Sequence, residues 1–224
     1  LQVPEGISIR DILRPTITDG TELRRAESQE ASYYTLSYGN KCFNVQAASP
    51  TSFVEDSPVY TDGSCQAHGT PDAIAAGAAI QVIEWGKDLT SFTARASNWL
   101  APRFLHATSF TGEYIGALLA IRDPLKEKPL DIWSDSAALI TAWKKATAKG
   151  PQFQNKWDGL LRQVITQWVK PHHEINFHKV KAHREVKDAV DDSDLQNILG
   201  NMAADFMADK CIIDHTESYH GVKQ

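Results

Sequence analysis

The 224-residue chain lacks the features that would take it out of the ordinary run of globular folds. Cysteine is sparse: Cys42, Cys65 and Cys211 are odd in number, widely spaced and free of any C-x-x-C pairing. Free thiols in a reducing compartment fit this better than a disulfide framework. No apolar run approaches the roughly 18 residues of a membrane-spanning helix, so no membrane partner is expected. No basic segment leading into an apolar stretch opens the chain, so an intracellular site, cytoplasm or nucleus, is expected over secretion. The chain begins with Leu1 and not Met, which predicts a piece of a longer polypeptide. Internal repeats and low-complexity tracts are absent as well. So is an excess of positive charge: the formal net charge is −5, and bulk attraction for a polyanion is excluded.

What the chain does have is an uneven distribution of charge. Between Thr141 and Glu185 stand Lys144, Lys145, Lys149, Lys156, Arg162, Lys170, Lys179, Lys181 and Arg184, opposed only by Asp158, Glu174 and Glu185. From Val186 the sign reverses, with Asp188, Asp191, Asp192 and Asp194 close together. A solvated helix face and a surface for a polyanion are both open readings of the basic stretch.

Residues 1–56 read as an extension. TELRRAESQEAS suits a short helix, YYTLSYGNKCFNVQAA two β-type runs around Gly39-Asn40, hence a hairpin, and PTSFVEDSP a linker. From Pro58 the pattern is regular. VYTDGS, AIAAGAAIQVIEW and DLTSFTARASNW read as three strands, the small residues of the second permitting close backbone approach. TSFTGEYIGALLAIRD is helical by the spacing of Tyr114, Ala117, Leu118 and Ile121. LDIWSD reads as a strand, SAALITAWKKATAK as a helix stopped at Gly150-Pro151, FQNKWDGLLRQVITQWVK as a helix, EINFHKVKA as a fifth strand and LQNILGNMAADFMADKC as a final helix. Three strands followed by alternating strands and helices predict an α/β fold with a five-stranded mixed sheet flanked by helices. The expected division is 1–56 extension, 57–214 main domain and 215–224 tail.

Four carboxylates fall at ordered places in this plan: Asp62 in VYTDGSC, Glu113 in TSFTGEYIGALLAI, Asp135 in LDIWSDSAALI and Asp205 in GNMAADFMADK. Each alone has a bland explanation. Asp62 could form an Asx turn, Glu113 could favour the first turn of its helix, Asp135 could cap a helix, and Asp205 could be a surface acid. Four that converge would make a dense negative cluster, tolerable mainly when hard divalent cations neutralise it. That is the donor set of metal-assisted phosphoryl chemistry.

TDGS on the first strand, a Glu in the first helix, a strand ending in SDS, then VKAH followed by N-x-x-x-D resemble ribonuclease H of type 1 over roughly residues 57–212. The C-terminal helix with GNMAAD resembles the ribonuclease H domains of retroelement reverse transcriptases. The resemblance implies a ribonuclease H-like fold and endonucleolytic cleavage of the RNA strand of RNA–DNA hybrids. It implies two Mg²⁺ ions, with Mn²⁺ as a substitute, held by Asp62, Glu113, Asp135 and Asp205. It implies that His183 of VKAH is a mobile assisting group and that Asn201 touches phosphate. By the same resemblance Gly63 and Ser64 face ribose 2′-hydroxyls, Thr108 and Ser109 face the hybrid, and Trp143, Lys144 and Lys145 grip the DNA strand. Ser109-Phe110 and Ala137 depart from the residues common in the family, and the stretch between His183 and Asp205 reads as a long acidic insert. His172, His173 and His178 are expected to be surface or strand residues. The implied partners are an RNA–DNA hybrid and a reverse transcriptase or other domains of the parent polypeptide. The alternatives are a cellular ribonuclease H and a non-catalytic module that keeps the fold for binding or structure in a ribonucleoprotein.

Overall fold

A computed structural model of the chain describes residues 32–38, 41–47, 58–87, 92–101, 107–121, 130–147 and 174–221. The helices expected around residues 21–32 and 153–170, His172 and His173 lie outside these residues.

In chain order the strands are β1 (Ser32–Tyr38), β2 (Lys41–Ala47), β3 (Val59–Gln66), β4 (Ile74–Trp85) and β5 (Phe92–Leu100). Then come α1 (Ser109–Ile121), β6 (Leu130–Ser134), α2 (Ala137–Thr147), β7 (Ile175–Lys179), a 3₁₀ turn at Val186–Asp188, and α3 (Asp192–Gly221). The strands lie in the order β1-β2-β5-β4-β3-β6-β7. β3, β4 and β5 form the expected antiparallel meander, while β6 runs parallel to β3 and β7 parallel to β6. The five-stranded mixed sheet read from the sequence is therefore present. The hairpin β1–β2 is present too, but it is no separate appendage. It extends the sheet to seven strands through the parallel pairs Gln46↔Arg95 and Ala47↔Ala96.

Two apolar layers cover the sheet. Successive side chains of a strand point to opposite faces, and β3 shows this directly. Val59 packs with Ile115, Leu118, Leu119, Ile132 and Leu139, the core beneath α1 and α2. Its neighbour Tyr60 packs with Ile80, Leu199, Ala203 and Met207, the core beneath α3. α3 is anchored with some precision: the Tyr60 hydroxyl donates to Asn197 Oδ1 at 2.9 Å, and the Tyr60 ring lies where a side chain on Gly200 would stand.

The structure starts α3 at Asp192, three residues before the Leu195 start read from the sequence, so the acidic run after His183 is divided between the 184–191 connection, with its 3₁₀ turn, and the first turn of the helix. Asp191 caps it, its Oδ1 accepting from Asp194 N at 2.7 Å and its carbonyl from Leu195 N at 2.9 Å. The helix continues through Gly221, past the point where a tail is expected.

Candidate active site

Parallel pairing brings the first two carboxylates together. β3 and β6 are in register through Thr61↔Ser134, so the next residues, Asp62 and Asp135, stand side by side at one level of the sheet. Asp62 is inside the strand, paired with Ala78, and is not a turn residue. Asp135 is not the helix cap either. That role belongs to Ser136, whose Oγ accepts from Leu139 N at 3.2 Å and whose carbonyl accepts from Ile140 N. With the cap supplied by the next residue, the Asp135 carboxylate is left for the site.

Glu113 arrives through four glycines. Gly63 and Gly77 are cross-strand partners on β3 and β4, and Gly112 and Gly116 lie one turn apart on α1. A Cβ on Gly63 would stand 2.2 Å from Glu113 N, and one on Gly77 would stand 2.3 Å from Gly116 N. No side chain fits between helix and sheet there, so the α1 backbone lies directly on the strands and carries Glu113 to Asp62. Thr108 starts the helix: its Oγ1 accepts from Phe110 N at 3.3 Å, and its own N–H donates to Thr111 Oγ1 at 2.9 Å.

Asp62, Glu113 and Asp135 each offer a carboxylate oxygen within 4.8 Å of the other two. Asp205, on α3, joins them at the rim of a pocket of about 260 Å³ that Asp62, Asp135, His183 and Asn201 also line. Burial, then the charges of Glu113, Asp135 and Asp205, push the Asp62 carboxyl far above the usual carboxylate range. Burial and then Asp135 push Glu113 upward, with Lys179 opposing. Asp205 is raised by partial burial, Asp209 and Asp135, with His183 opposing. The metal-free cluster thus retains protons near neutrality, as a coupled set. The residues present fit a hard divalent cation: the donors are all carboxylate oxygens, and Glu113 Oε2 is buried with no hydrogen-bond partner.

The sign of the pH dependence follows. A raised folded-state pKa contributes stability that is complete below the ordinary value, about 4, and is lost as pH rises through the raised one. The chelated protein is therefore expected to lose melting temperature steadily between about pH 5 and pH 9. Asp62→Asn should flatten that slope. Asp194 acts in the opposite direction, lowered chiefly by its hydrogen bonds with Arg184, but its effect falls below about pH 4, outside the window. A wild-type melting temperature independent of pH in chelator would contradict the convergence.

Other residues singled out in the sequence divide into groups. Asn201 is buried beside the acids, and its Oδ1 has no partner. His183 is exposed on the pocket rim with a left-handed backbone, φ 55°. Gly63 N donates to Asp62 Oδ1 at 2.8 Å, and Ser64 Oγ donates to Asp209. Ser109 lies exposed at the start of α1. Trp143 requires a correction: it is only 6% exposed and packs against Phe177 with ring centroids 5.0 Å apart. It shares the core-facing stripe of α2 with Leu139 and Ala142, so its ring is not available to grip a strand, while Lys144 and Lys145 beside it are exposed. His178 is a strand residue as expected, 2.8 Å from Asp131 and stacked on Trp133.

The sequence reading missed Lys179, Lys181, Arg184, Glu185 and Asp209 as neighbours of the site. Lys179 donates to the Asp135 carbonyl and, at 3.0 Å, to the Val180 carbonyl. The run KVKAHRE, with charges alternating around Val180, was the available signal for the first of them.

The sequence profile of the ribonuclease H family matches residues 55–213, a span that holds all four acids. The chain belongs to the ribonuclease H family. A ribonuclease H of Chlorobium chlorochromatii is 26% identical over 142 residues, covering 57% of this chain and 83% of that protein. Among solved structures this ribonuclease H is similar to the N-terminal ribonuclease H domain of a Mycobacterium tuberculosis protein, at 19% identity and a TM-score of 0.43, over 73% of this chain and 99% of the other. It is also similar to the prototype foamy virus protease–reverse transcriptase, at 17% identity and a TM-score of 0.46, over 69% of this chain and 20% of that one.

Proposed function

We propose that this ribonuclease H hydrolyses the RNA strand of RNA–DNA hybrids at the acidic pocket, leaving 5′-phosphate and 3′-hydroxyl ends. The observation that carries the reading is the meeting of Asp62, Glu113 and Asp135 within 4.8 Å, with Asp205 on the same pocket. A module that only binds has no physical reason to bury mutually repelling carboxylates. Asp62, Glu113, Asp135 and Asp205 would hold two Mg²⁺ ions, or Mn²⁺ in their place. Bound there, the ions supply activation of the attacking water and neutralisation of charge on the phosphate.

The chain's own groups do the rest. Asp62, held by the Gly63 N–H, stands in the middle of the donor set. Asn201 presents a buried amide beside Asp205, placed to fix a phosphate oxygen or an ordered water. Gly63, Ser64, Thr108 and Ser109 border the β3–α1 contact, and we assign them to the hybrid's sugar edge, where a 2′-hydroxyl separates RNA from DNA. Lys144 and Lys145 are assigned to phosphate contacts on the DNA strand. His183 handles the proton of the leaving group from the rim. For context we retain a reverse transcriptase polypeptide, supported by the resemblance of the GNMAAD helix; hybrid affinity should then rise when neighbouring domains are present.

The test of the activity is a hybrid labelled on each strand in turn, with duplex DNA as control. The RNA strand should be cut in Mg²⁺, the DNA strand and the duplex left whole. Equal cutting of both strands, or binding without cutting, contradicts the reading. His183→Ala should lower kcat about ten- to a hundredfold and leave KM within about twofold. An unchanged kcat would remove His183 from the reaction.

A further inference from the structure

His183 is followed by REVKDAVDDSD, a stretch whose charges the nuclease chemistry does not use. In the structure most of them bond within the stretch itself, to one another or to its backbone. Arg184 meets Asp194 with both arms of its guanidinium, Nη1 to Oδ1 and Nη2 to Oδ2 at 2.7 Å, and Nη2 also reaches the Asp188 carbonyl at 2.6 Å. The same Asp194 Oδ2 accepts from Val190 N at 3.0 Å, at the far end of the loop. Within the loop Glu185 N donates to Asp188 Oδ2 at 2.9 Å. Asp194 sits in the first turn of α3 and is itself tied to the capping Asp191. One carboxylate therefore fastens both ends of the loop to the helix that carries Asn201 and Asp205.

The residue next to this fastening is His183, at φ 55°. A left-handed backbone is strained for a non-glycine residue and persists where the surroundings over-determine it. Arg184 and Glu185 line the pocket with His183, so the fastening reaches the site itself. The side chains of Arg184 and Asp194 are 21% and 20% exposed, and a forked pair so shielded resists salt better than a surface ion pair.

We propose that the Arg184–Asp194 pair is a positioning device that holds His183 at the mouth of the acidic pocket, so that in this chain, in departure from the mobile group the resemblance implies, the histidine is a fixed one. It rests on the reading of His183 given above. The Arg184 guanidinium is taken up by Asp194 and the Asp188 carbonyl, and in this proposal the pair acts through the backbone of its neighbour. Holding a proton-handling group in place before substrate arrives raises kcat by sparing the ordering that a mobile loop must undergo in each turnover.

The test uses Arg184→Met, which keeps the stem without the fork, and Arg184→Lys, which keeps the charge without it. The first readout is independent of activity: the backbone order parameter of His183 by NMR. The account predicts a value of about 0.85 in the wild type and below about 0.6 in Arg184→Met, with Arg184→Lys between them. The second is a kinetic cycle on the hybrid. Arg184→Met should lower kcat about tenfold with KM little changed, and should cost nothing further when His183 is already Ala. The exchange Arg184→Asp with Asp194→Arg should recover part of the loss. His183 equally ordered in Arg184→Met and wild type overturns the proposal. So does an equal loss in kcat with and without His183, which marks a purely structural pair. A wild type that does not cut hybrids sinks the ribonuclease reading and the role in turnover with it, while the order parameter still reads the fastening on its own.

Discussion

Asp62→Asn is expected to abolish Mg²⁺-dependent hybrid cleavage, by about a thousandfold or more, while hybrid binding stays measurable. The size of the effect follows from position. The Asp62 carboxylate has an oxygen within 4.8 Å of those of Glu113 and Asp135, and it lines one pocket with Asp205. Removing its charge removes the central donor from any cation held by the set. The fold should tolerate the change, because Asn keeps the Oδ1 that accepts from Gly63 N. Single-turnover cleavage beside a hybrid-binding isotherm decides the matter. Turnover within tenfold of wild type would take Asp62 out of the chemistry.

Gly112→Ala is the second large effect, and it acts through packing. The added methyl would stand 2.4 Å from the Ala76 carbonyl oxygen and 2.8 Å from both Gly63 Cα and Ser64 N. These are backbone atoms of two paired strands, so no side chain can swing aside. α1 must lift off the sheet, at about 3 kcal/mol, the upper end for overpacking. Because Glu113 is the next residue, the displacement also pulls a carboxylate out of the cluster, and cleavage should fall along with stability. Gly69→Ala is the contrast. It has a left-handed φ of 78° but nothing within 4 Å, so only local strain of about 1–2 kcal/mol is expected and cleavage should survive. Denaturant midpoints and hybrid cleavage of both variants test this. Equal behaviour of the two would deny the close approach.

What the sequence made legible was the part of the fold written in local patterns. Alternation and small residues announced the β3–β4–β5 meander, and the spacing of Tyr114, Ala117, Leu118 and Ile121 announced α1. The four acids were legible because each sits at a fixed place relative to such an element. Less legible was whatever depended on pairing across the chain. Gly39-Asn40 signalled the β1–β2 hairpin, but nothing local says that its second strand docks in parallel on β5. Asp135 and Ser136 are both good caps, and only the observed bond from Leu139 N assigns the role to Ser136 and frees Asp135. Trp143 followed by two lysines reads equally well as a grip or as core, and the packing on Phe177 decides for core. The run of acids after His183 looked like a loop because the helix period is hidden among capping and paired aspartates, whose partners lie several residues away.

The central claim is that four carboxylates distant in sequence form one cation-holding site, and thermal unfolding of wild type and Asp62→Asn in chelator and in Mg²⁺ at about pH 8 tests it most directly. In chelator the wild type carries the repulsion and burial cost of the cluster, so Asp62→Asn should be the more stable of the two, by about 0.5–2 kcal/mol. Saturating Mg²⁺ should raise the wild-type melting temperature and raise that of the variant much less, since binding to the folded state alone stabilises it by mass action. The account predicts this crossing of the two proteins. A variant less stable than wild type in chelator, with neither protein shifted by Mg²⁺, would contradict it.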